Sequence, residues 1–190
     1  MNMPPMLAYS LLASMYTNTM PVAIVGQGPS KMWIRPDAPV DDSYWIVFLD
    51  ANKPTNKVKE FIVPGANNST VPAGLDAYMS NPAYLFVVAT QYLATIHVPQ
   101  GAFYTYLTSH GAGRELQRLE QINTSIGCGS ISHMSYVLTG QGGPANSNSP
   151  AYEIGSTSIT QPATLLLSLM PRGDGQPPYS ICDSYTFITS

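Results

Sequence analysis

Acid–base or metal chemistry in this sequence would have to start from its histidines, because these side chains titrate near neutral pH. There are three, His97, His110 and His133, and they are widely spaced along the chain. None lies among cysteine or carboxylate residues at the spacings of a zinc site. The sequence also lacks a Gly-Lys-Ser/Thr phosphate-binding loop and a Gly-x-Ser-x-Gly nucleophile turn. We therefore predict that the chain binds no metal or cofactor and is not an enzyme.

Aromatic, amide and carboxylate side chains could instead bind a ligand, since sugars are held by aromatic faces and planar hydrogen-bonding groups. Residues 90–111 contain no Asp, Glu, Lys or Arg but carry Tyr92, Tyr104 and Tyr106. Asp50 adds a carboxylate at the end of an apolar run. These four residues are candidates for ligand binding. The alternative is that the tyrosines pack in the interior.

Apolar and alternating runs predict the strands that would position these residues. The run YWIVFLD and the alternating run KVKEFIV form a hairpin around the turn ANKPTN, and AYLFVVAT is apolar enough to be buried on both faces. Six strands are predicted, at residues 44–50, 57–63, 83–90, 131–139, 163–170 and 184–189.

Two helices are predicted, at residues 71–80 and 112–125. In the second, Leu116, Leu119 and Ile122 recur at steps of three residues and form one apolar stripe. Mixed charges cover the rest of this helix and indicate a solvated face; they are Arg114, Glu115, Arg118 and Glu120. Gly127 is placed to end the helix.

The N-terminal segment MNMPPMLAYSLLASMY is apolar and lacks the basic region of a signal peptide. Its apolar run is also shorter than the roughly 20 residues that span a membrane. We predict a short helix that starts after Pro4 and Pro5 and docks either on the body of the protein or on a neighbouring subunit.

Charge is scarce throughout the 190 residues: 10% of them are charged, and the net charge is −3. A usual soluble domain has about 25% charged residues. The chain has no basic run, which argues against nucleic-acid binding because the phosphate backbone demands clustered Lys and Arg. A neutral polar surface favours a protein that packs into an assembly.

The two cysteines, Cys128 and Cys182, do not form a metal-binding or redox motif. They could form one disulfide bond in an oxidising compartment, or they could be two small buried hydrophobic residues.

The order of segments along residues 22–143 resembles the interleukin-like EMT inducer (ILEI) domain family. The matching segments are VAIVGQGPSKMWI, YWIVFLD, KVKEFIV, a helix, YLFVVAT, GRELQRLEQI and IGCGSISHMSYVLTGQGG. The family's turn after the last helix corresponds to Ile126-Gly127-Cys128, and its glycine-rich ending corresponds to residues 140–143.

The resemblance implies an α+β, β-rich fold in which two antiparallel sheets pack as a sandwich with flanking helices. The ILEI-like domain covers residues 22–143, and two segments lie outside the match: an apolar arm at 1–21 and a β-rich C-terminal extension at 144–190. Family members include secreted cytokine-like proteins and a sugar-binding stem domain. The nearest counterpart of an arginine that often leads into the family's last strand is His133, which joins the candidate ligand-binding residues.

Two functions remain open at this point. The chain is either a homo-oligomeric or structural subunit of a larger assembly, such as a virus or phage particle or a surface appendage, or a free lectin-like or cytokine-like module that binds a glycan or a protein. The apolar arm, the C-terminal extension and the low charge favour assembly and a virion or extracellular location. The abundant Tyr, Asn and Gln favour ligand binding.

Overall fold

A computed structural model describes residues 6–126, 131–172 and 176–183. In these residues the chain is β-rich and short in helix. The strands are Leu7–Leu12 (β1), Val22–Gly26 (β2), Met32–Ile34 (β3), Ser43–Asp50 (β4), Lys53–Pro64 (β5), Tyr84–Gln91 (β6), Leu93–Ala94 (β7), His133–Gln141 (β8), Ala151–Ser156 (β9), Thr164–Arg172 (β10) and Gln176–Asp183 (β11). The α-helices are Asp76–Met79 (α1), Gly101–Ser109 (α2) and Arg114–Gln121 (α3).

The strands form two antiparallel sheets. The first sheet has the order β11-β10-β1-β2-β3. The second has the order β5-β4-β6-β8, with β9 on the far side of β8 and the short β7 also paired to β8. The sheets pack face to face, so the predicted sandwich of two antiparallel sheets is confirmed at the level of architecture.

Side chains from both sheets fill the space between them. Trp45, Val47 and Leu49 of β4 meet Tyr9 and Leu11 of β1 in this core. Two of the polar groups that enter it are paired: the Tyr9 hydroxyl lies 2.9 Å from Thr139 Oγ1, and Trp45 Nε1 donates to Glu60 Oε2 at 3.0 Å. Burial raises the pKa of the Tyr9 phenol above its usual range.

A second core lies on the other face of the six-stranded sheet, under the helices. Tyr44, Ile46 and Phe48, which alternate with the inward residues of β4, pack there against Phe103 and Leu116. Because helices cover one face of β4 and the first sheet covers the other, both sets of alternating residues are buried. This explains why the segment at 44–50 is apolar without interruption.

The predicted strands at 44–50, 57–63, 83–90, 131–139 and 163–170 are confirmed, and the hairpin is β4–β5. The strand predicted at 184–189 lies outside the described residues. The helix predicted at 71–80 is reduced to the single turn of α1. The helix predicted at 112–125 corresponds to α3 and a following π-helical turn, Ile122–Ile126, while Gly127 lies outside the described residues. Helix α2 was not predicted.

The predicted N-terminal helix is wrong, since residues 7–12 form strand β1. Tyr9 and Leu11 face the core at a spacing of two, and Ala8 and Ser10 face away from it. β1 pairs with β2 on one side and with β10 on the other. The core between the sheets therefore includes residues of β1, β10 and β11 as well as residues from 22–143.

Candidate ligand-binding site

Tyr92 occupies a strained turn between β6 and β7. Its φ is +44°, in the left-handed region that non-glycine residues rarely adopt. The backbone is held from both sides, because Tyr92 N–H donates to Ser14 O at 2.9 Å and Tyr92 O accepts from Asp42 N–H at 3.2 Å. Residues held in this conformation cluster at functional sites. The fixed turn sets the direction of the Tyr92 ring.

The ring of His133 stacks on that of Tyr92. The two ring centroids are 3.9 Å apart and the planes differ by 14°. The contact follows from strand pairing, since β7 begins just after Tyr92 and its Ala94 is opposite His133 in the register with β8. His133 Nδ1 also lies 2.9 Å from the hydroxyl of Ser132. Two of the predicted ligand-binding residues are thus brought together.

An open groove of about 290 Å³ runs beside this stacked pair. We call it the Tyr92 groove; its lining residues are Met15, Tyr16, Thr17, Tyr92, Ser132, His133 and Ile159. Tyr16 and Ile159 are 56% and 65% exposed, and both lie on this groove, where they form an exposed apolar patch. The groove therefore combines aromatic and aliphatic surface with the hydroxyl groups of Ser132, Thr17 and the two tyrosines.

Asp42 braces the turn under the groove. Besides its backbone contact with Tyr92, its Oδ1 accepts from Ala94 N–H at 3.0 Å and its Oδ2 lies 2.7 Å from His97 Nδ1. The hydroxyl of Tyr44 in turn donates to the carbonyl of His97. Burial and, secondly, the Asp42 carboxylate raise the pKa of the Tyr44 phenol well above its usual range. These contacts fix the backbone on both sides of Tyr92.

Tyr104 and Tyr106 lie elsewhere, on α2. The Tyr106 hydroxyl donates to Asp76 Oδ1 at 3.1 Å, and its ring lies 4.5 Å from that of His110, centroid to centroid. Burial, followed by the charge of Asp76, raises the pKa of the Tyr106 phenol. Both tyrosines pack against the core beneath the helices. Their contacts are those of residues that fasten α2 to its surroundings.

Asp50 is also remote from the Tyr92 groove. In the register of β4 with β6, Asp50 is opposite Tyr84, whereas Ser43 at the other end of β4 is opposite Gln91. Eight residues of strand separate the two ends by roughly 23 Å. Asp50 Oδ1 accepts from Asn52 N–H at 2.8 Å, so this carboxylate closes the β4–β5 turn.

Sequence reasoning missed Met15, Tyr16, Thr17, Ser132 and Ile159 as lining residues. Tyr16 ends the segment that was expected to form a docked helix, Thr17 follows it, and Ile159 lies in the loop between β9 and β10. No local pattern marks these positions, because the groove is assembled from segments that are distant in the chain. Exposed aromatic and aliphatic residues become recognisable only once the fold is known.

Other sequence-based expectations concern metals and cysteines. Within residues 6–126, 131–172 and 176–183, no three His, Cys, Asp or Glu side chains converge in a group that could hold a metal ion. Cys182 lies on β11, and burial raises the pKa of its thiol. Cys128 falls outside the described residues, so the disulfide stays a prediction.

Comparison of the chain with models of known protein families and with curated proteins finds no match. The resemblance to the ILEI family stays a prediction. None of the helices in the described part of the chain is long and apolar enough to cross a membrane.

Proposed function

We propose that this chain is a non-catalytic binding protein that holds a carbohydrate in the Tyr92 groove. The observation that carries the proposal is the stacked Tyr92–His133 pair beside the exposed ring of Tyr16. The apolar face of a sugar ring packs on such aromatic surface, while its hydroxyl groups exchange hydrogen bonds with those of Ser132 and Thr17. A lining without Asp, Glu, Lys or Arg suits a neutral glycan.

A glycan array followed by isothermal titration with the strongest binder tests this function. We expect Tyr16→Ala and His133→Ala each to weaken binding by about tenfold, as expected for loss of an aromatic contact. Trp33→Ala is the matched control, because Trp33 is exposed but lies on β3, outside the groove. An array without a binder, or equal losses from the control variant, would contradict the proposal. If these residues bind a protein and no glycan, the ligand of the Tyr92 groove is a protein and the glycan proposal is wrong.

A second function, self-assembly, is supported by the outer face of the five-stranded sheet. Ala8 and Ser10 of β1, Ile24 of β2 and Ser168 of β10 line a groove of about 460 Å³ on this face. Its lining mixes apolar and uncharged polar residues, and Lys31 is its single charged member. Such a neutral surface is compatible with a copy of itself across a two-fold axis. We propose a second copy of this chain as its occupant, in a particle or appendage.

Light scattering on the purified chain tests the assembly role. Ser10→Arg places a charge in the middle of the outer face, and we expect it to lower the oligomeric mass to that of the 20.5 kDa monomer. Ser10→Thr keeps the face neutral and serves as the control. A wild-type chain that is monomeric at high concentration would rule out self-assembly through this face without affecting the glycan proposal.

A further inference from the structure

Three alternate residues of the β3 region form a basic aromatic cluster. Lys31 Nζ lies 5.5 Å from the centroid of the Trp33 ring and the Arg35 guanidinium carbon lies 5.4 Å from it. Trp33 is 49% exposed, and both cations lie in the range of cation–π attraction. Because residues two apart in an extended chain project to the same side, the three side chains share one face. We call them the Trp33 cluster.

The cations of the Trp33 cluster have no acidic partner among the described residues. The nearby carboxylates of Asp37 and Glu60 are both bound by Lys57, at 2.8 Å and 3.1 Å. Lys31 and Arg35 therefore keep their N–H donors available to an external acceptor. Hydrogen bonds from such charged donors to a carboxylate are about twice as strong as neutral ones.

β3 is also an edge strand. It pairs with β2 through Met32↔Val25, Trp33↔Ile24 and Ile34↔Ala23, and in the described part of the chain no strand pairs with its other side. An open edge presents backbone N–H and C=O groups that an extended peptide can pair with. Exposed Met32 adds apolar surface beside this edge.

We infer that the β3 edge is a docking site for an extended acidic peptide segment of a partner protein. The segment adds a strand to β3, and its alternate side chains then lie beside Lys31, Trp33 and Arg35 at the usual spacing between neighbouring strands, roughly 5 Å. The cluster thereby selects a five-residue peptide segment whose first and last residues are acidic and whose middle residue is apolar, with any residue at the two positions between them. Two carboxylates meet the two cations, and the apolar side chain between them packs on Trp33.

The same cluster is a poor fit to nucleic acid. The Trp33 cluster has a single aromatic ring, whereas proteins that bind single-stranded nucleic acid stack successive bases on several rings. Two cations also supply few phosphate contacts, whereas nucleic-acid binding depends on many. An extended peptide fits better, because its backbone can pair with the edge strand and its alternate side chains meet Lys31, Trp33 and Arg35.

Tryptophan fluorescence offers a direct test, because Trp45 is fully buried and Trp33 is exposed. The probe is a seven-residue peptide with glutamate at its second and sixth positions, leucine at its fourth, and serine or threonine elsewhere. We expect a saturable change in Trp33 emission that weakens as salt is added. The peptide with lysine in place of glutamate should not bind, nor should one with prolines on both sides of the leucine, since proline cannot donate to the strand edge.

The variant Lys31→Gln/Arg35→Gln should weaken peptide binding by about tenfold or more while leaving the circular dichroism unchanged. Lys59→Gln is the matched control, because Lys59 also lies over an aromatic ring, Phe61, at 5.6 Å. Tyr16→Ala should leave peptide binding intact, which separates this site from the glycan proposal. The inference is overturned by the absence of a saturable change, by equal binding of the proline peptide, or by equal or tighter binding of a short oligouridine RNA.

Discussion

At the scale of single residues, close packing determines how well the two glycines that follow β8, Gly142 and Gly143, tolerate substitution. Gly142 N–H donates to Tyr84 O at 2.8 Å, and Gly143 N–H donates to Met79 O at 2.9 Å. A Cβ on Gly142 would overlap the backbone carbonyl of Asn81, which cannot rotate away. A Cβ on Gly143 would meet the side-chain oxygens of Ser147 and Ser149, which can rotate away. Two glycines that look equivalent in sequence therefore have different tolerance.

We expect Gly142→Ala to lower the free energy of unfolding by about 1–3 kcal/mol, the usual cost of overpacking. Gly143→Ala should cost less than about 1 kcal/mol, since its neighbours can move. Urea denaturation of both variants measures the difference. Equal losses would show that the Asn81 backbone yields as readily as the two serine side chains.

The contacts of single residues are also the feature that the sequence predicts least well. Tyr92 and His133 were both selected from the sequence, but nothing in the sequence linked them, because their contact depends on the β7–β8 register. Tyr104 and Tyr106 were selected for the same reason as Tyr92. In the structure they lie on α2 and pack against the core, and only the fold distinguishes a tyrosine that lines a groove from one that fastens a helix.

At the scale of elements, α3 is fastened to β9 through its charged residues. Glu153 of β9 accepts from the N–H groups of Gly113 and Glu115 at 2.9 Å, and so caps the start of the helix. Arg118 donates to Gly155 O at 2.9 Å and to Glu115 Oε2 at 2.9 Å. The predicted solvated face is thus half-buried at Glu115, while Arg118 stays exposed, and both side chains bind Gly155 of the neighbouring strand.

The Glu115 carboxylate should make part of the stability depend on pH. The hydrogen bond from Arg118, together with that from Gly155 N–H, holds the pKa of Glu115 below its ordinary value of 4.5. A lowered pKa contributes stability that is complete above that value and is lost as the pH falls through the folded-state pKa. We expect wild type to be more stable than Glu115→Gln at pH 6 and the two to converge near pH 3.

Chemical denaturation at the two pH values measures this convergence. Glu120→Gln on the same helix is the control, because the Glu120 carboxylate makes no ion pair within the described residues, and its difference from wild type should change little. A stability gap at Glu115 that persists unchanged at pH 3 would show that the contact is not electrostatic.

Element prediction succeeded where burial left a strong pattern. β4 and β6 are buried on both faces, so their apolar runs are uninterrupted and were found. β1 was mistaken for a helix because a six-residue apolar run is too short for periodicity to distinguish the two. Helix α2 was missed because its buried Phe103 and Leu107, although four residues apart, lie among threonines and tyrosines that favour no single structure.

At the scale of the whole molecule, β1 joins distant parts of the chain. It lies between β2 and β10, and its inward residues are fully buried. Deletion of residues 1–12 should therefore abolish cooperative thermal unfolding rather than release a folded monomer. Circular dichroism through a thermal melt measures this. A truncated chain with a cooperative transition near that of wild type would contradict the central role of β1.

Leu11 and Leu12 are adjacent in β1 and form a matched pair that tests how much its buried face contributes to stability. Leu11 is fully buried between the sheets, whereas Leu12 faces the other way and is partly exposed. We expect Leu11→Ala to cost about 2–5 kcal/mol of unfolding free energy, as for other buried leucines. Leu12→Ala should cost clearly less. Equal costs would mean that the two faces of β1 are equally buried in solution.

The position of β1 has a consequence for synthesis on the ribosome. β1 leaves the exit tunnel before both of its partners: it can pair early with β2, which follows it closely, but β10 starts only at Thr164. At ordinary rates of translation, β1 waits roughly 10–30 s for that partner. During this time one edge of β1 is unpaired, and Tyr9 and Leu11 lack the full set of neighbours that buries them in the finished protein. The nascent chain is therefore open to mispairing with other chains on the same messenger RNA until β10 has been made.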